Sequence, residues 1–178
     1  MSKQQPLEHS VIMPIIMKDG LSLSGEAMIE LMRAVLAQGL PFRFAARGFS
    51  MAPFIRDGDV ISVSPLSSRP PGMGDVAAFL DQETKSLCVH RVLSGRKGAI
   101  LTQGDNMPGK PDGLISTGDI LGLVTRVERN GRKVRFGLGP ERFLIALLSR
   151  NGLLEIIKRC AGPLYRHFRR GNIRCANP

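Results

Sequence analysis

GFSMAPFIRDGDV, the stretch from Gly48 to Val60, places a serine between a glycine and a proline just before an apolar run. Serines in such surroundings usually belong to ordinary turns, so Ser50 is a candidate nucleophile only in combination with later motifs. The Asp57-Gly58 pair is a strong turn signal, and it leads into the short β run Val60–Val63. The stretch therefore predicts a serine-bearing turn that enters a strand.

The chain around this turn consists of short apolar runs separated by Gly/Pro-rich turns. In the run 87–93, a period of two puts Cys88, His90 and Val92 on one face and Arg91 on the other. Strands do not alternate with helices, which argues against βαβ units and for one β-rich domain. The predicted strands are 42–46, 60–63, 74–80, 87–93, 99–102, 120–124 and 133–136.

Helical patterns flank the β-rich part on both sides. Before it, Ser24 is a predicted helix N-cap, and apolar residues recur at helical spacing until Gly39. This stripe comprises Met28, Leu31, Met32, Val35 and Leu36. We expect the amphipathic helix to pack on the domain, with a partner-binding face as the alternative. Still earlier, residues 11–23 predict irregular structure with one short strand.

The C-terminal part is predicted to be helical. Residues 141–150 are too apolar on all sides for a free surface helix, and further apolar stripes follow to residue 170. We therefore predict a mainly β fold with an N-terminal amphipathic helix and C-terminal helices. The predicted divisions are an N-terminal segment, 1–41, a β-rich domain, 42–136, and a basic helical extension, 137–178.

The charge of the chain is concentrated near its C-terminus. Residues 1–125 hold twelve Lys or Arg and twelve Asp or Glu, whereas residues 126–178 hold thirteen against three, so the net +10 lies there. The basic segment 141–178 has three interpretations: a solvated surface, an anionic membrane surface, or a nucleic-acid contact. Nucleic acid is the least favoured, because no nucleic-acid motif accompanies the charge.

Composition excludes several classes of protein. With 43% hydrophobic residues in 178, the chain is typical of a globular protein with a real core. Three widely spaced cysteines and three histidines favour neither a disulfide framework nor a metal site, and no cofactor is predicted. The sequence shows neither a secretory signal pattern nor an apolar run long enough to span a membrane. We expect a cytoplasmic protein, with peripheral membrane attachment as the alternative.

Five motifs follow one another in the chain: Gly48-x-Ser50-Met51-x-Pro53, Gly58-Asp59-Val60, Gly74-Asp75-Val76-x-x-Phe79, Val89-His90-Arg91-Val92, and Gly104-Asp105-Asn106 with Asp112 beyond. In this order they resemble the type I signal peptidase superfamily, and more narrowly its archaeal and endoplasmic-reticulum branch, which has histidine where bacterial enzymes have the catalytic lysine. The similarity spans roughly residues 44–125. It implies a β-rich peptidase fold of the signal peptidase and LexA type, and a serine endopeptidase that cleaves a peptide or protein after a small residue such as alanine.

Chemistry supports the same residues independently. A serine hydroxyl needs a base at neutral pH, and histidine is the side chain best suited to accept and return its proton. His9 and His167 lie in the terminal segments, which leaves His90 as the base. A carboxylate on the far imidazole nitrogen would complete a Ser/His/Asp triad.

Two carboxylates in one loop are candidates for the triad acid, and the resemblance favours Asp112 over Asp105. Asp105 is expected to shape the loop by accepting hydrogen bonds from backbone amides. Met51 and Gly48 are supporting positions of the serine turn. Family members often have a serine at the position of Gly48 that helps to hold the oxyanion, so the amide of Ser50 and another backbone donor would have to do so here. Phe49 would narrow the substrate groove.

Three alternatives remain open. A catalytically inactive module of the same fold would bind a peptide without cutting it. A LexA-type self-cleaving protein would use a lysine base, whereas the matching position here is His90 and Lys85 lies five residues away; its Ala-Gly cleavage pair, Ala161-Gly162, lies beyond the β-rich domain. A Cys88–His90 pair is the third alternative, although a cysteine in a strand is most often a small core residue.

Overall fold

The computed structural model describes residues 25–66, 70–96, 98–107 and 111–153. The expected N-cap at Ser24, the short strand within 11–23 and the helical stripes that continue after residue 153 lie outside these residues. Eight strands and two helices make up the described part. They are α1 (Gly25–Ala37), β1 (Phe42–Ala45), β2 (Val60–Ser64), β3 (Val76–Asp81), β4 (Ser86–Arg96), β5 (Ala99–Gln103), β6 (Leu114–Ser116), β7 (Ile120–Arg129), β8 (Arg132–Val134) and α2 (Arg142–Arg150).

All eight strands belong to one antiparallel sheet, which confirms the predicted mainly β fold with a helix on each side in sequence. The strand order is β1-β2-β7-β3-β4-β5-β6, and β8 pairs with β7. Strand β7 lies between β2 and β3, so it joins the half of the sheet that carries the serine turn to the half that carries β4. Shifts of register in β2, β3 and β4 mark β-bulges, which increase the local bend of a sheet.

Alternate residues of β3 pack into two different cores. Val76 and Ala78 belong to the core that also contains α1, whereas Ala77 and Phe79 belong to the core on the opposite face. In β4, Val89 faces the first core and Val92 the second. The period of two predicted for β4 is therefore confirmed, and the sheet is buried on both faces at its centre.

Helix α1 packs against the first core, as expected for an amphipathic helix that packs on the domain. Its most buried side chains are Ile29, Met32 and Leu36, while Met28 and Leu31 are only partly buried. The predicted stripe omitted Ile29, which lies one turn before Met32 and Arg33 on the helix and completes the buried face. Gly39, with φ of +77°, follows the helix as expected for a C-terminal glycine.

Strand boundaries differ from prediction mainly in length. Strands β4 and β7 are longer than predicted because they continue through polar residues, and β8 ends at Val134 rather than at Phe136. Strand β6, which was not predicted, has three residues at the sheet edge, too few for a pattern to reveal. Within the described residues, both helices are too short to cross a membrane.

Candidate active site

The serine turn connects β1 to β2, and buried apolar residues hold it in place. Met51, Phe54 and Ile55 are buried, and the carbonyl of Met51 accepts hydrogen bonds from the amides of Phe54 and Ile55 at 3.2 and 3.0 Å. The Ala52-Pro53 peptide bond is cis. Met51, which the sequence predicts to support the serine turn, therefore holds the turn through its buried side chain, while Ser50 stays partly exposed.

The backbone conformation at position 48 favours glycine. Its φ of +90° lies in the left-handed region that side chains avoid, and its amide donates a hydrogen bond to Asp57 Oδ1 at 2.9 Å. A serine here would be strained by this conformation. Phe49, next to it, exposes 71% of its surface.

The two Gly-Asp-Val motifs hold turns through buried aspartates. Asp59 is 2% exposed and accepts hydrogen bonds from Arg129 on both carboxylate oxygens, at 2.8 and 2.7 Å. Asp75 is 5% exposed, accepts the amide of Gly72 at 2.9 Å and forms an ion pair with Arg142. These carboxylates fix the chain before β2 and before β3, so their part in the site is to position the strands.

His90 and Asp112 are in direct contact. His90 Nδ1 and Asp112 Oδ2 are 2.6 Å apart, and their side chains are only 11% and 19% exposed. Since an ionised carboxylate can only accept, Nδ1 carries the proton of this bond and Nε2 is left as an acceptor. The Phe79 ring packs edge-on against the imidazole, with centroids 6.0 Å apart. Of the two loop carboxylates, Asp112 is the one at the histidine.

Thr102 holds Asp112 from the adjacent strand, a contact that the sequence did not predict. Its hydroxyl donates to Asp112 Oδ2 at 3.0 Å, and its carbonyl accepts the amide of Asp112 at 2.9 Å. Thr102 is completely buried. The carboxylate is therefore fixed both at its backbone and at its side chain. Two donors, His90 and Thr102, converge on one oxygen.

Gly104 lies between the serine turn and the histidine. A Cβ added to it would lie 2.8 Å from the carbonyl oxygen of Ser50 and 3.2 Å from His90 Nε2. The amide of Asn106 also donates to that carbonyl oxygen at 2.7 Å. The loop 104–106 thus brings the backbone of Ser50 close to the free nitrogen of the imidazole, and only glycine leaves room for this approach.

Asp105 has a partner that the sequence did not reveal. Arg91 binds it through two hydrogen bonds, from Nε at 2.8 Å and from a terminal nitrogen at 2.7 Å. The other terminal nitrogen of Arg91 donates to the carbonyls of Gly74 and Gly137. Both charged side chains are at most 1% exposed. The signal was present in the sequence, because an arginine within an apolar strand requires an acid partner when buried.

A cleft of about 270 Å³ contains both Ser50 and His90. Its other walls come from different elements, including Met28 of α1, Phe44 of β1 and Val89 of β4. Mostly apolar walls with a few polar groups are typical of a binding cleft. The cleft is therefore a candidate binding site that includes Ser50 and His90.

Two other candidate residues are less well placed for chemistry. Burial raises the pKa of the Cys88 thiol, and the charges of Asp81 and Asp112 raise it further, which disfavours the thiolate. Lys85 lies in the β3–β4 turn, where its ammonium donates to Gln82 Oε1 at 2.8 Å. Among the described residues that line the cleft, none is a lysine. In the described ranges, no group of three or more His, Cys, Asp or Glu has a metal-binding arrangement.

Comparison of the chain with protein-family models gives no match, and comparison with curated proteins gives none either.

Proposed function

We propose that the protein is a serine endopeptidase in which Ser50 is the nucleophile, His90 the general base and Asp112 the group that orients the histidine. The observation that supports this most is the hydrogen-bonded series Thr102, Asp112 and His90, whose far nitrogen lies beside the serine turn. A neutral imidazole with Nδ1–H on a carboxylate is the arrangement that a serine needs for activation.

The proposed reaction begins with attack of Ser50 Oγ on the scissile carbonyl carbon. His90 Nε2 accepts the hydroxyl proton, and the resulting imidazolium is stabilised by Asp112, which stays ionised. When the carbon–nitrogen bond breaks, His90 returns the proton to the leaving amine and an ester on Ser50 remains. A water molecule, deprotonated by His90, then hydrolyses this ester and regenerates the serine.

Backbone amides supply the donors for the developing oxyanion in this proposal. The Ser50 amide is the first candidate, since the residue at position 48 has no side-chain hydroxyl. Loss of one oxyanion donor costs about 100- to 1,000-fold in turnover in other serine peptidases. We therefore expect slow turnover, because the triad is complete but the oxyanion has one donor fewer. The preference for a small residue such as alanine before the cleaved bond rests on the resemblance to signal peptidases.

The test is cleavage of an alanine-rich peptide library by the full chain, followed by mass spectrometry of the products. We expect cleavage that is lost in Ser50→Ala and in His90→Ala. Cys88→Ala is the matched control and should keep activity. Cleavage that survives Ser50→Ala would refute the assignment. Peptide binding without cleavage, equal in the wild type and Ser50→Ala, would instead support an inactive peptide-binding module.

A further inference from the structure

Helix α2 has one face that packs on the protein and an opposite face that is apolar and exposed. Ile145, Ala146 and Ser149 are buried, and Ile145 packs against Phe54 of the serine turn. On the other side, Phe143, Leu144 and Leu147 expose 51%, 58% and 48% of their surfaces. Leu147 lies four residues after Phe143 and three after Leu144, so the three side chains share one face of the helix. The apolar character of residues 141–150 argues against a free surface helix, and α2 does pack on the protein, although through one face only.

An exposed ridge of this kind differs from scattered surface leucines. Single exposed apolar residues are normal, but contiguous ones on a soluble surface mark an interaction site. Phe136 is a further exposed aromatic residue, with 64% of its surface accessible, but it lies beside Phe54, on the side of α2 that packs on the protein. Leu153, just after the helix, is 46% exposed. The surface therefore combines aromatic and aliphatic groups.

Two arginines of α2 flank this apolar surface. Arg150 is exposed in the last turn of α2, and the guanidinium of Arg142 lies 4.9 Å from the centre of the Phe143 ring. Arg132, Lys133 and Arg135, near Phe136 in the chain, are also exposed. The sequence after α2 continues the excess, since residues 154–178 hold six Lys or Arg and one acid, Glu155.

We propose that the exposed face of α2, formed by Phe143, Leu144 and Leu147 and followed by Arg150, docks the protein on an anionic lipid surface. The apolar ridge would enter the boundary between head groups and acyl chains, while the cations bind lipid phosphates. Charge complementarity selects this partner, because a second copy of the chain would bring the same excess of cations to the interface. The docking does not depend on the triad assignment.

The experiment is co-sedimentation of the full chain with vesicles of phosphatidylcholine containing about one-third phosphatidylglycerol, compared with pure phosphatidylcholine. We expect binding to the anionic vesicles that weakens as salt is raised. The double variant Leu144→Ser/Leu147→Ser should lower the partition coefficient about tenfold or more, because both side chains leave the acyl region. Leu40→Ser, at an equally exposed leucine after α1, is the matched control and should bind like the wild type.

Several results would overturn the proposal. The first is equal binding by the double variant and the wild type, which would assign the interaction to the basic sequence alone. The second is no binding to anionic vesicles at low salt. The third is a dimer in sedimentation velocity that the double variant abolishes, which would make the ridge an interface between copies. Binding to DNA or RNA without binding to vesicles would equally overturn it.

Discussion

One oxygen of Asp112 accepts hydrogen bonds from both His90 and Thr102, so the orientation of the carboxylate depends on a threonine hydroxyl. Such second contacts are what hold a catalytic imidazole in one tautomer and position. Thr102 is also buried, which removes water as a substitute donor. We therefore expect substitutions at Thr102, which would touch no substrate, to change the rate of the proposed reaction.

Thr102→Val should lower kcat about tenfold with little change in KM, because a hydrogen bond to a charged group is worth about 1.5 kcal/mol or more. Asp112→Asn should lower kcat by about 10³- to 10⁴-fold, since an amide no longer fixes the required tautomer. Steady-state kinetics on a cleaved peptide measures both, with Thr102→Ser as the matched control that keeps the hydroxyl. A kcat for Thr102→Val equal to that of Thr102→Ser would contradict the positioning role.

The Arg91–Asp105 pair gives a separate prediction on stability. Asp105→Asn should lower the free energy of unfolding by about 3 kcal/mol, because it leaves the Arg91 charge buried with less compensation. Arg126→Ala, which removes an exposed partner of Glu128, should cost less than about 1 kcal/mol. Urea denaturation of the two variants measures the difference. Equal losses would show that burial does not govern the strength of these pairs.

Among the elements, α2 is attached to the preceding turn through Glu141. Its Oε1 accepts the amides of Gly137 at 2.6 Å and Gly139 at 3.0 Å. The carbonyl of Gly137 in turn accepts a hydrogen bond from Arg91, which also binds Asp105 of the 104–106 loop. Gly137 therefore links the attachment of α2 to the side chain that fixes this loop. Burial alone would raise the pKa of Glu141, but these amide hydrogen bonds outweigh it and lower the pKa.

This direction predicts a pH dependence for Glu141→Gln. A carboxyl whose pKa is lower in the folded state stabilises that state above its unfolded pKa, and the contribution is lost as pH falls through the folded pKa. The variant should therefore be less stable than the wild type at neutral pH, with the gap closing below about pH 4. Thermal unfolding across pH measures it. A gap that stays constant down to about pH 3 would contradict the role of the carboxylate.

Much of the secondary structure could be predicted from the sequence, and the features that could not be predicted have physical causes. The strand period in β4 and the serine turn follow from local sequence, because side-chain alternation and turn chemistry are local effects. The Arg91–Asp105 and Thr102–Asp112 contacts join different strands and loops, so a local pattern can indicate that a buried arginine needs an acid but not which acid it binds. The three residues of β6 and the exposed ridge of α2 depend on their neighbours in the fold.

For the whole molecule, the candidate site depends on how the two halves of the sheet are aligned. Ser50 follows β1, which pairs with β2, whereas His90 lies on β4, which pairs with β3. Strand β7 is the link between these pairs. The sequence separation between β2 and β7 explains why the strands themselves, but not their order in the sheet, could be predicted.

Gly122 of β7 is the point at which this alignment can be tested. A Cβ added there would lie 2.8 Å from Val63 Cγ1 and still closer to the carbonyl oxygen of Ser64 on β2. Gly122→Ala should destabilise the protein by about 1–3 kcal/mol and lower peptidase activity, because overpacking displaces backbone. Gly118→Ala, where the nearest atom is 3.7 Å away, should change stability by less than about 0.5 kcal/mol. A Gly122→Ala protein as stable as Gly118→Ala would refute this explanation.

In the proposed mechanism, His90 and Asp112 activate Ser50. Covalent labelling of the full chain with a fluorophosphonate, followed by peptide mapping, measures this activation without knowledge of the substrate. We expect one labelled serine, Ser50, with a rate that falls at least about 100-fold in His90→Ala and in Asp112→Asn. Labelling of Ser50 at the same rate in the wild type and His90→Ala, or labelling spread over other serines, would contradict it.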